Sequence, residues 1–348
     1  MENIASSKDI INAIVLGYET TIRIREAVEP SEEAFWKAFE TIGTGINYGV
    51  TVVAGKLLRL NQEQMADAFG LTGRMRASRI TMPDVAKRGM PRWMKIAGGD
   101  ITIPGIHAAF LARRGFPGDR SILDQGRGYE GSVGSDRFDA SKLHLDLGKN
   151  YKTLRISYKL YPSCRHFSST LDAVAEIMSE NRLVADEIEE VLVKTQDQIA
   201  NRFAQYEPEH MIQAEFSVPY GVSMVLMGEP PGPNWYTPDM LNNSKARQLQ
   251  HKVKLQGDPV FTRKFYAENK YASAVVIRTT HGKRFYKQLE FSKGDPEKPF
   301  TEQDHINKLT AMVLWAGFDH LKTEKLMCAL GTLEELSKIS EFTPFLVP

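Results

Sequence analysis

Residues 271–292 read YASAVVIRTTHGKRFYKQLEFS and consist of two runs joined by a His-Gly pair. In each run apolar and polar residues alternate, which is typical of a strand with one buried face. A glycine-containing turn between two such runs is typical of antiparallel neighbours. The stretch therefore predicts a β-hairpin, and it is the strongest indication of a β-sheet in the chain.

The sequence before this hairpin mixes strand-like and helix-like segments, beginning near residue 151. Residues 153–162, TLRISYKLYP, and 187–197, EIEEVLVKTQD, have strand character. Residues 167–183 predict an amphipathic helix, and residues 216–229, FSVPYGVSMVLMGE, predict a small-residue helix that a proline opens. Residues 238–256 predict a helix followed by a strand. We therefore expect an α+β domain here.

Both ends of the chain predict helices instead. Helical spacing of apolar residues is found in residues 10–27, 34–60, 61–73 and 103–118, and again in 301–318 and 330–339. Asn61 is a suitable N-cap, and Gly43, Gly45, Gly49 and Gly55 would let their helix pack closely against a neighbour. The simplest architecture is α+β, with a discontinuous all-α helical domain into which an α+β domain is inserted. The predicted ranges are residues 1–150 and 299–348 for the helical domain and 151–298 for the inserted domain.

Composition narrows the class of protein. The 348 residues suggest about two domains, and 44 basic against 43 acidic residues give a net charge of +1. This balance offers no electrostatic reason to expect nucleic acid as a partner. No apolar run approaches the ~20 residues that span a bilayer, and the N-terminus MENIASSKDI lacks the features of a signal peptide. We expect a cytoplasmic protein without a membrane partner.

Several common site types find no support in the sequence. The two cysteines, Cys164 and Cys328, exclude a disulfide framework, a CxxC zinc site and an iron–sulfur cluster held by this chain alone. HExxH and GxSxG are absent, and we predict no metal site. GRGYEG, residues 126–131, matches a dinucleotide-binding pattern, but a loop with many glycines and aspartates surrounds it. A nicotinamide enzyme is a further alternative, and it rests on GRGYEG alone.

The densest group of reactive side chains is YKLYPSCRHF, residues 158–167. Pro162 ends the preceding strand, and the residues after it lead into a helix whose first N–H groups favour an anion. Arg165 can grip a carboxylate, Lys159 adds positive charge, and Cys164 or His166 can move a proton. The alternative is a polar turn in which Arg165 forms a structural ion pair, and the residues alone leave both interpretations open.

Lys95 is a further candidate. It lies in RWMKIAGGD, residues 92–100, beside small residues where a substrate can approach the backbone. A solvated surface lysine is the alternative. His107 and His320 are better explained as helix-face or core histidines than as catalytic ones.

Motifs along nearly the whole chain resemble the MmgE/PrpD family, which includes 2-methylcitrate dehydratases, cis-aconitate decarboxylases and iminodisuccinate epimerases. The similar stretches, in order, are AIVLGYETTIRI, GINYGVTVVAGKLLRLNQEQMADAFGLTG, IPGIHAAFLARRGFPG, YKLYPSCRH, FSVPYGVSMVLMGE and FSKGDPEKPFTEQD. The resemblance implies a helical domain built from both chain ends around an α+β domain. It also implies a homodimer, and a cofactor-free active site between the domains.

The resemblance also suggests which residues form the site. Lys95, Lys159 and Tyr220 fall on family positions, Cys164 lies where some members have a histidine, and His166 lies near the position of a second histidine. We predict these five as catalytic. Two departures stand out: the chain is short at the N-terminus, and Glu40 replaces a histidine of many members. We predict Arg165 and Glu40 as substrate-binding.

The chemistry of the family shares one requirement, the stabilisation of negative charge beside a carboxylate when a proton or CO₂ leaves. We therefore predict a cofactor-free lyase acting on a small di- or tricarboxylic acid, most simply a hydro-lyase that dehydrates a 2-hydroxy acid, like 2-methylcitrate dehydratase. Decarboxylation and epimerisation suit the same residues. In another class, the chain is a binding protein, or one subunit of a split enzyme whose second subunit supplies the missing N-terminal helices.

Overall fold

The structure, a computed structural model, describes residues 5–37, 45–75, 92 and 97–347. The chain divides into two compact units. The first is Met1–Met82, Lys95–Arg155 and Phe318–Pro348, and the second is Pro83–Met94 and Ile156–Gly317. The described residues combine helices with a mixed four-stranded sheet, so the fold is α+β.

The first unit is helical in its described residues. Its α-helices are α1 (Ser7–Ala27), α2 (Glu32–Lys37), α3 (Gly45–Leu57), α4 (Gln62–Arg74), α5 (Ala97–Arg113), the single turn α6 (Tyr129–Ser132) and, near the C-terminus, His320–Gly331. Asn61 caps α4 as predicted, since its side chain accepts a hydrogen bond from the Gln64 N–H at 2.9 Å.

Helix α3 packs against both α1 and α5. A Cβ atom added to Gly49 would lie 2.7 Å from the carbonyl oxygen of Gly17 in α1. Only a residue without a side chain allows the two backbones to approach so closely. The prediction of close packing is therefore confirmed for Gly49, whereas Gly43 lies outside the described residues.

The second unit contains the sheet. Its strands are β1 (Ile188–Thr195), β2 (Val253–Gly257), β3 (Ser273–Thr279) and β4 (Arg284–Leu289), in the order β2-β1-β3-β4. Strand β1 is parallel to β2 and antiparallel to β3, while β3 and β4 form the predicted hairpin with Val276 opposite Tyr286. Gly282 has φ +79° in the connecting turn, a conformation that glycine adopts at low cost.

Helices cover the sheet and extend the unit. They are α7 (Ser168–Glu180), α8 (Asp197–Arg202), α9 (Met211–Glu215), α10 (Val218–Leu226), α11 (Pro238–Leu241), α12 (Ser244–His251), α13 (Pro259–Glu268) and α14 (Glu302–Trp315). Helix α7 packs against β3, β4 and α10, and its Leu171 is fully buried. The Ser217 side chain caps α10, and Pro219 occupies its first turn, as the proline-opened pattern predicts.

The predicted strand over residues 153–162 is wrong. Lys152–Arg155 form a 3₁₀ turn, and residues 156–162 are irregular. The Tyr158 N–H donates to Gly294 at 2.8 Å, and the Ser157 hydroxyl donates to Asp295 at 2.8 Å. The segment thus reads as a strand because its residues favour extended backbone, but its hydrogen bonds go to a loop and not to a sheet edge.

Helix α14 lies in the second unit, which extends to Gly317. The helix is fixed there by its first turn, where Lys293 pairs with Asp304 at 2.6 Å. Helical periodicity identifies an element but does not say which core it joins.

Candidate active site

The turn formed by residues 158–167 is held at both ends by distant backbone. Tyr158 donates to Gly294, and the Cys164 N–H donates to the Glu215 carbonyl at 2.8 Å. After Cys164, a 3₁₀ turn over Arg165–Phe167 leads directly into α7. These contacts fix the turn by main-chain hydrogen bonds, so the side chains that it carries have defined positions.

A buried carboxylate ties the same turn to α7. The Tyr161 hydroxyl donates to Asp172 at 3.0 Å, and the Lys293 N–H donates to the other Asp172 oxygen at 2.6 Å. Burial raises the pKa of Asp172, and burial followed by the Asp172 charge raises the pKa of Tyr161. The phenol therefore keeps its proton and acts as a permanent donor within the turn.

Lys159 is exposed and its side chain folds back over the turn. Its Nζ donates to the Ser163 carbonyl at 2.9 Å. The contact places an ammonium group at the peptide bond that links Ser163 to Cys164. An exposed cation on the turn that precedes a helix favours bound anions.

Lys308 of α14 approaches the same turn, although the sequence did not single it out. Its Nζ lies 3.5 Å from the Leu160 carbonyl oxygen. Burial lowers the pKa of Lys308, and the positive charge of Lys159 lowers it further. Two lysines from segments far apart in sequence therefore converge on one turn.

Cys164 is half-buried and lies close enough to Tyr236 to affect the pKa of that phenol. The Tyr236 hydroxyl donates to the Pro162 carbonyl. Burial raises the pKa of Tyr236, and the neighbouring Glu215, Tyr220 and Cys164 raise it further. Tyr236 is thus a neutral donor that holds the turn through the Pro162 carbonyl.

Arg165 forms the ion pair that the sequence left as the alternative to substrate binding. Its Nη2 pairs with Asp295, and its Nη1 donates to the Ser292 hydroxyl at 3.0 Å. Its guanidinium lies over the Tyr271 ring, 4.8 Å from the centroid. These contacts join the turn to residues 291–296, a second motif of the resemblance.

His166 lies among aromatic rings. The ring centroids of Tyr271, Phe265 and Phe203 are 5.0, 5.4 and 6.3 Å from that of the imidazole. Tyr271 also carries the Arg165 guanidinium. Arg165 and His166 therefore both pack against the Tyr271 ring.

Tyr220 is fully buried in α10. Its hydroxyl donates to the Trp235 carbonyl, and its ring stacks on Tyr236 with centroids 6.2 Å apart. Burial raises the pKa of Tyr220, and the Glu229 charge raises it further. The Tyr220 hydroxyl thus binds the backbone of Trp235, the residue before Tyr236, and Tyr236 contacts the turn.

The remaining two candidates, Lys95 and Glu40, lie outside the described residues. Arg92, close to Lys95 in sequence, is described and influences His210. Burial lowers the pKa of His210, and the Arg92 charge lowers it further. The imidazole accepts from the Gln213 N–H at 3.4 Å, so it is favoured as a neutral base. No sequence motif singles out His210.

Two features are absent from the described residues. No group of three or more His, Cys, Asp or Glu side chains there has an arrangement that could hold a metal ion. Likewise, no helix in the described ranges is both long and apolar enough to cross a membrane.

The fold and the turn define an α+β protein that presents lysine side chains on the turn that precedes α7. Two family models match its sequence: the MmgE/PrpD N-terminal domain over residues 2–140 and the MmgE/PrpD C-terminal domain over residues 161–325. The chain therefore belongs to the MmgE/PrpD family, which includes dehydratases such as 2-methylcitrate dehydratase. No curated protein matches the chain significantly.

Proposed function

We propose that the protein is a hydro-lyase that dehydrates a small 2-hydroxy di- or tricarboxylic acid. The observation that carries the proposal is the Lys159 ammonium, held 2.9 Å from Ser163 on the turn that precedes α7. Membership of a family that includes dehydratases supports the reaction class. The proposal extends to a cofactor-free homodimer in the cytoplasm, with the α+β domain inserted in a discontinuous helical one.

The reaction removes the elements of water from adjacent carbons. A base takes the proton from the carbon beside a carboxylate, and the electron pair of that C–H bond forms the new double bond. The hydroxyl group on the next carbon leaves with a proton, as water. Negative charge develops on the carboxylate during proton removal, and a fixed cation lowers the free energy of that state.

We assign this stabilising cation to Lys159. Cys164, the residue after the Ser163 carbonyl that Lys159 contacts, is the proposed proton-transfer group, and ammonium charge on this turn would favour its thiolate. Lys95, His166 and Glu40 stay in the proposal on the basis of the resemblance. Their contributions are to be tested separately.

The contacts of two other candidates favour a positioning role. Arg165 is engaged by Asp295, Ser292 and Tyr271, and Tyr220 donates to a backbone carbonyl. We therefore propose that Arg165 and Tyr220 hold the turn and α10 in place. In this arrangement they act on the substrate through the residues that they position.

The experiment is isotope exchange combined with turnover. The purified chain, of measured oligomeric mass, is incubated in D₂O with citrate and 2-methylcitrate. We expect deuterium in a substrate C–H position and formation of an unsaturated acid. We expect Lys159→Gln to lower kcat by about 10²-fold or more. The control Lys283→Gln changes an exposed lysine in the hairpin turn, which lies outside the proposed site.

Other products would redirect the assignment. Release of CO₂ would indicate decarboxylation, and exchange with inversion but no loss of water would indicate epimerisation. If the protein is folded but shows no deuterium exchange and no turnover, that result would contradict a stand-alone enzyme. Activity that returns on addition of a second polypeptide would favour the split enzyme.

A further inference from the structure

Helix α14 is oriented so that one of its faces meets the turn of residues 158–167. Thr301 caps the helix, and its hydroxyl accepts from the Asp304 N–H at 3.2 Å. His305 and Lys308 follow at a spacing of three, which places them on one face. The His305 ring lies edge-on to Tyr158, with centroids 4.6 Å apart. This contact fixes the face that carries Lys308.

The Lys308 ammonium is half-buried, and its hydrogen bond to Leu160 is long, at 3.5 Å. None of the carboxylates that the structure describes forms an ion pair with it. The nearest acidic residue on its own helix, Asp304, is engaged by Lys293 at 2.6 Å. Other lysines of this unit have carboxylate partners: Lys298 pairs with Glu176 at 2.7 Å.

After burial, the cause that lowers the pKa of Lys308 is the charge of another cation, Lys159. The two ammonium groups contact carbonyls three residues apart, Leu160 and Ser163. Like charges so placed repel, and the loss of hydration adds to the cost. A bound anion would offset both costs at Lys308, whose ammonium has no carboxylate partner among the residues that the structure describes.

We infer that Lys308 binds a second carboxylate of the substrate and thereby selects di- and tricarboxylic acids over monocarboxylic ones. The inference rests on the proposed function, in which Lys159 stabilises charge at the reacting carboxylate. Lys308 then holds the acid at a carboxylate away from the reacting carbons. Binding at a distance from the reaction centre orients the substrate and lowers KM.

The experiment uses direct binding, which does not require turnover. Tricarballylate carries three carboxylates and has no hydroxyl group to eliminate, and butyrate provides a monocarboxylate for comparison. Calorimetry with the full chain gives Kd for the wild type, Lys308→Gln, Lys308→Arg and the control Lys283→Gln. We expect Lys308→Gln to weaken tricarballylate binding by about tenfold to a hundredfold. The arginine variant and the control should stay within about threefold of the wild type.

Several results would overturn the inference. They are equal Kd values for the wild type and Lys308→Gln, wild-type affinity for butyrate as high as for tricarballylate, and no wild-type binding of tricarballylate. A lower Tm of Lys308→Gln with unchanged Kd would assign Lys308 a structural role only and overturn it too. If the glutamine variant does not fold, acetylation of the wild type followed by mass spectrometry replaces it. Tricarballylate should then protect Lys308 and leave Lys283 reactive, and equal labelling of Lys308 with and without it would contradict the inference.

The two proposals fail in different ways. Loss of binding in Lys308→Gln without any deuterium exchange in the wild type would support the carboxylate site and refute the dehydratase. Turnover in the wild type with unchanged KM in Lys308→Gln would support the enzyme and refute the role of Lys308.

Discussion

Arg165 pairs with Asp295, a residue 130 positions further along the chain. The pair is largely shielded from solvent, since the side chains of Arg165 and Asp295 are 20% and 6% exposed. Asp295 also accepts hydrogen bonds from Ser157 and from the Ser292 N–H, at 2.8 and 2.7 Å. One carboxylate thus connects the two ends of the candidate turn with the loop after the hairpin.

Replacing this carboxylate should destabilise the second unit. We expect Asp295→Asn to lower the free energy of unfolding by about 3 kcal/mol, because it leaves the Arg165 charge without its partner. The control is Asp186→Asn, which breaks an exposed pair with Lys245 and should cost less than about 1 kcal/mol. Urea denaturation measures both. Equal losses in the two variants would contradict the structural role of the Arg165 pair.

Removing the Tyr220 hydroxyl distinguishes positioning from proton transfer. Tyr220→Phe leaves the buried Trp235 carbonyl without its donor, which should cost about 1–2 kcal/mol of unfolding free energy. If Tyr220 positions α10, kcat should fall by less than about tenfold, because no step of the reaction uses its proton. A fall in kcat of about 10²-fold with unchanged stability would instead restore Tyr220 as a catalytic residue.

The two cysteines should differ in reactivity and in consequence. Cys328 is exposed and Cys164 is half-buried, so iodoacetamide should modify Cys328 first. In a Cys328→Ser background, loss of activity should follow alkylation of Cys164, and tricarballylate should slow it. Mass spectrometry measures the labelling. Complete alkylation of Cys164 with full activity would exclude the proposed role of its thiol.

Lys308 should make the stability of the ligand-free protein depend on pH. Burial and Lys159 lower its pKa below the ordinary 10.5, so between the folded-state pKa and 10.5 the unfolded chain binds more protons. Stability therefore rises with pH through this window, and the cost of the charged amine is largest below it. We expect Lys308→Met to raise Tm near pH 7, with a gain that shrinks towards about pH 10.

Measuring Tm of Lys283→Met at the same two pH values provides the control. Lys283→Met changes an exposed lysine and should shift Tm little at either pH, because no burial cost is relieved. A Lys308→Met variant that is less stable than the wild type near neutrality would contradict the idea that the amine is held at a cost. A gain independent of pH would point to packing of the methionine side chain.

The sequence predicted the local elements well where the signal depends on a few neighbouring residues. The alternating runs around the His-Gly turn gave the hairpin, Asn61 gave a helix cap, and Ser217 with Pro219 opens α10. The segment over residues 153–162 failed because strand propensity does not specify a partner. Its backbone donor at Tyr158 found Gly294, which only the fold brings near.

The sequence alone determined that the chain has the MmgE/PrpD motifs and a turn rich in charge and thiol, because both are contiguous patterns. The tertiary structure decided what the side chains of that turn contact. It pairs Arg165 with Asp295, and it places Lys308 beside the turn that carries Lys159. These relationships join residues more than a hundred positions apart, and only the packing of helices and loops around the sheet brings such residues together.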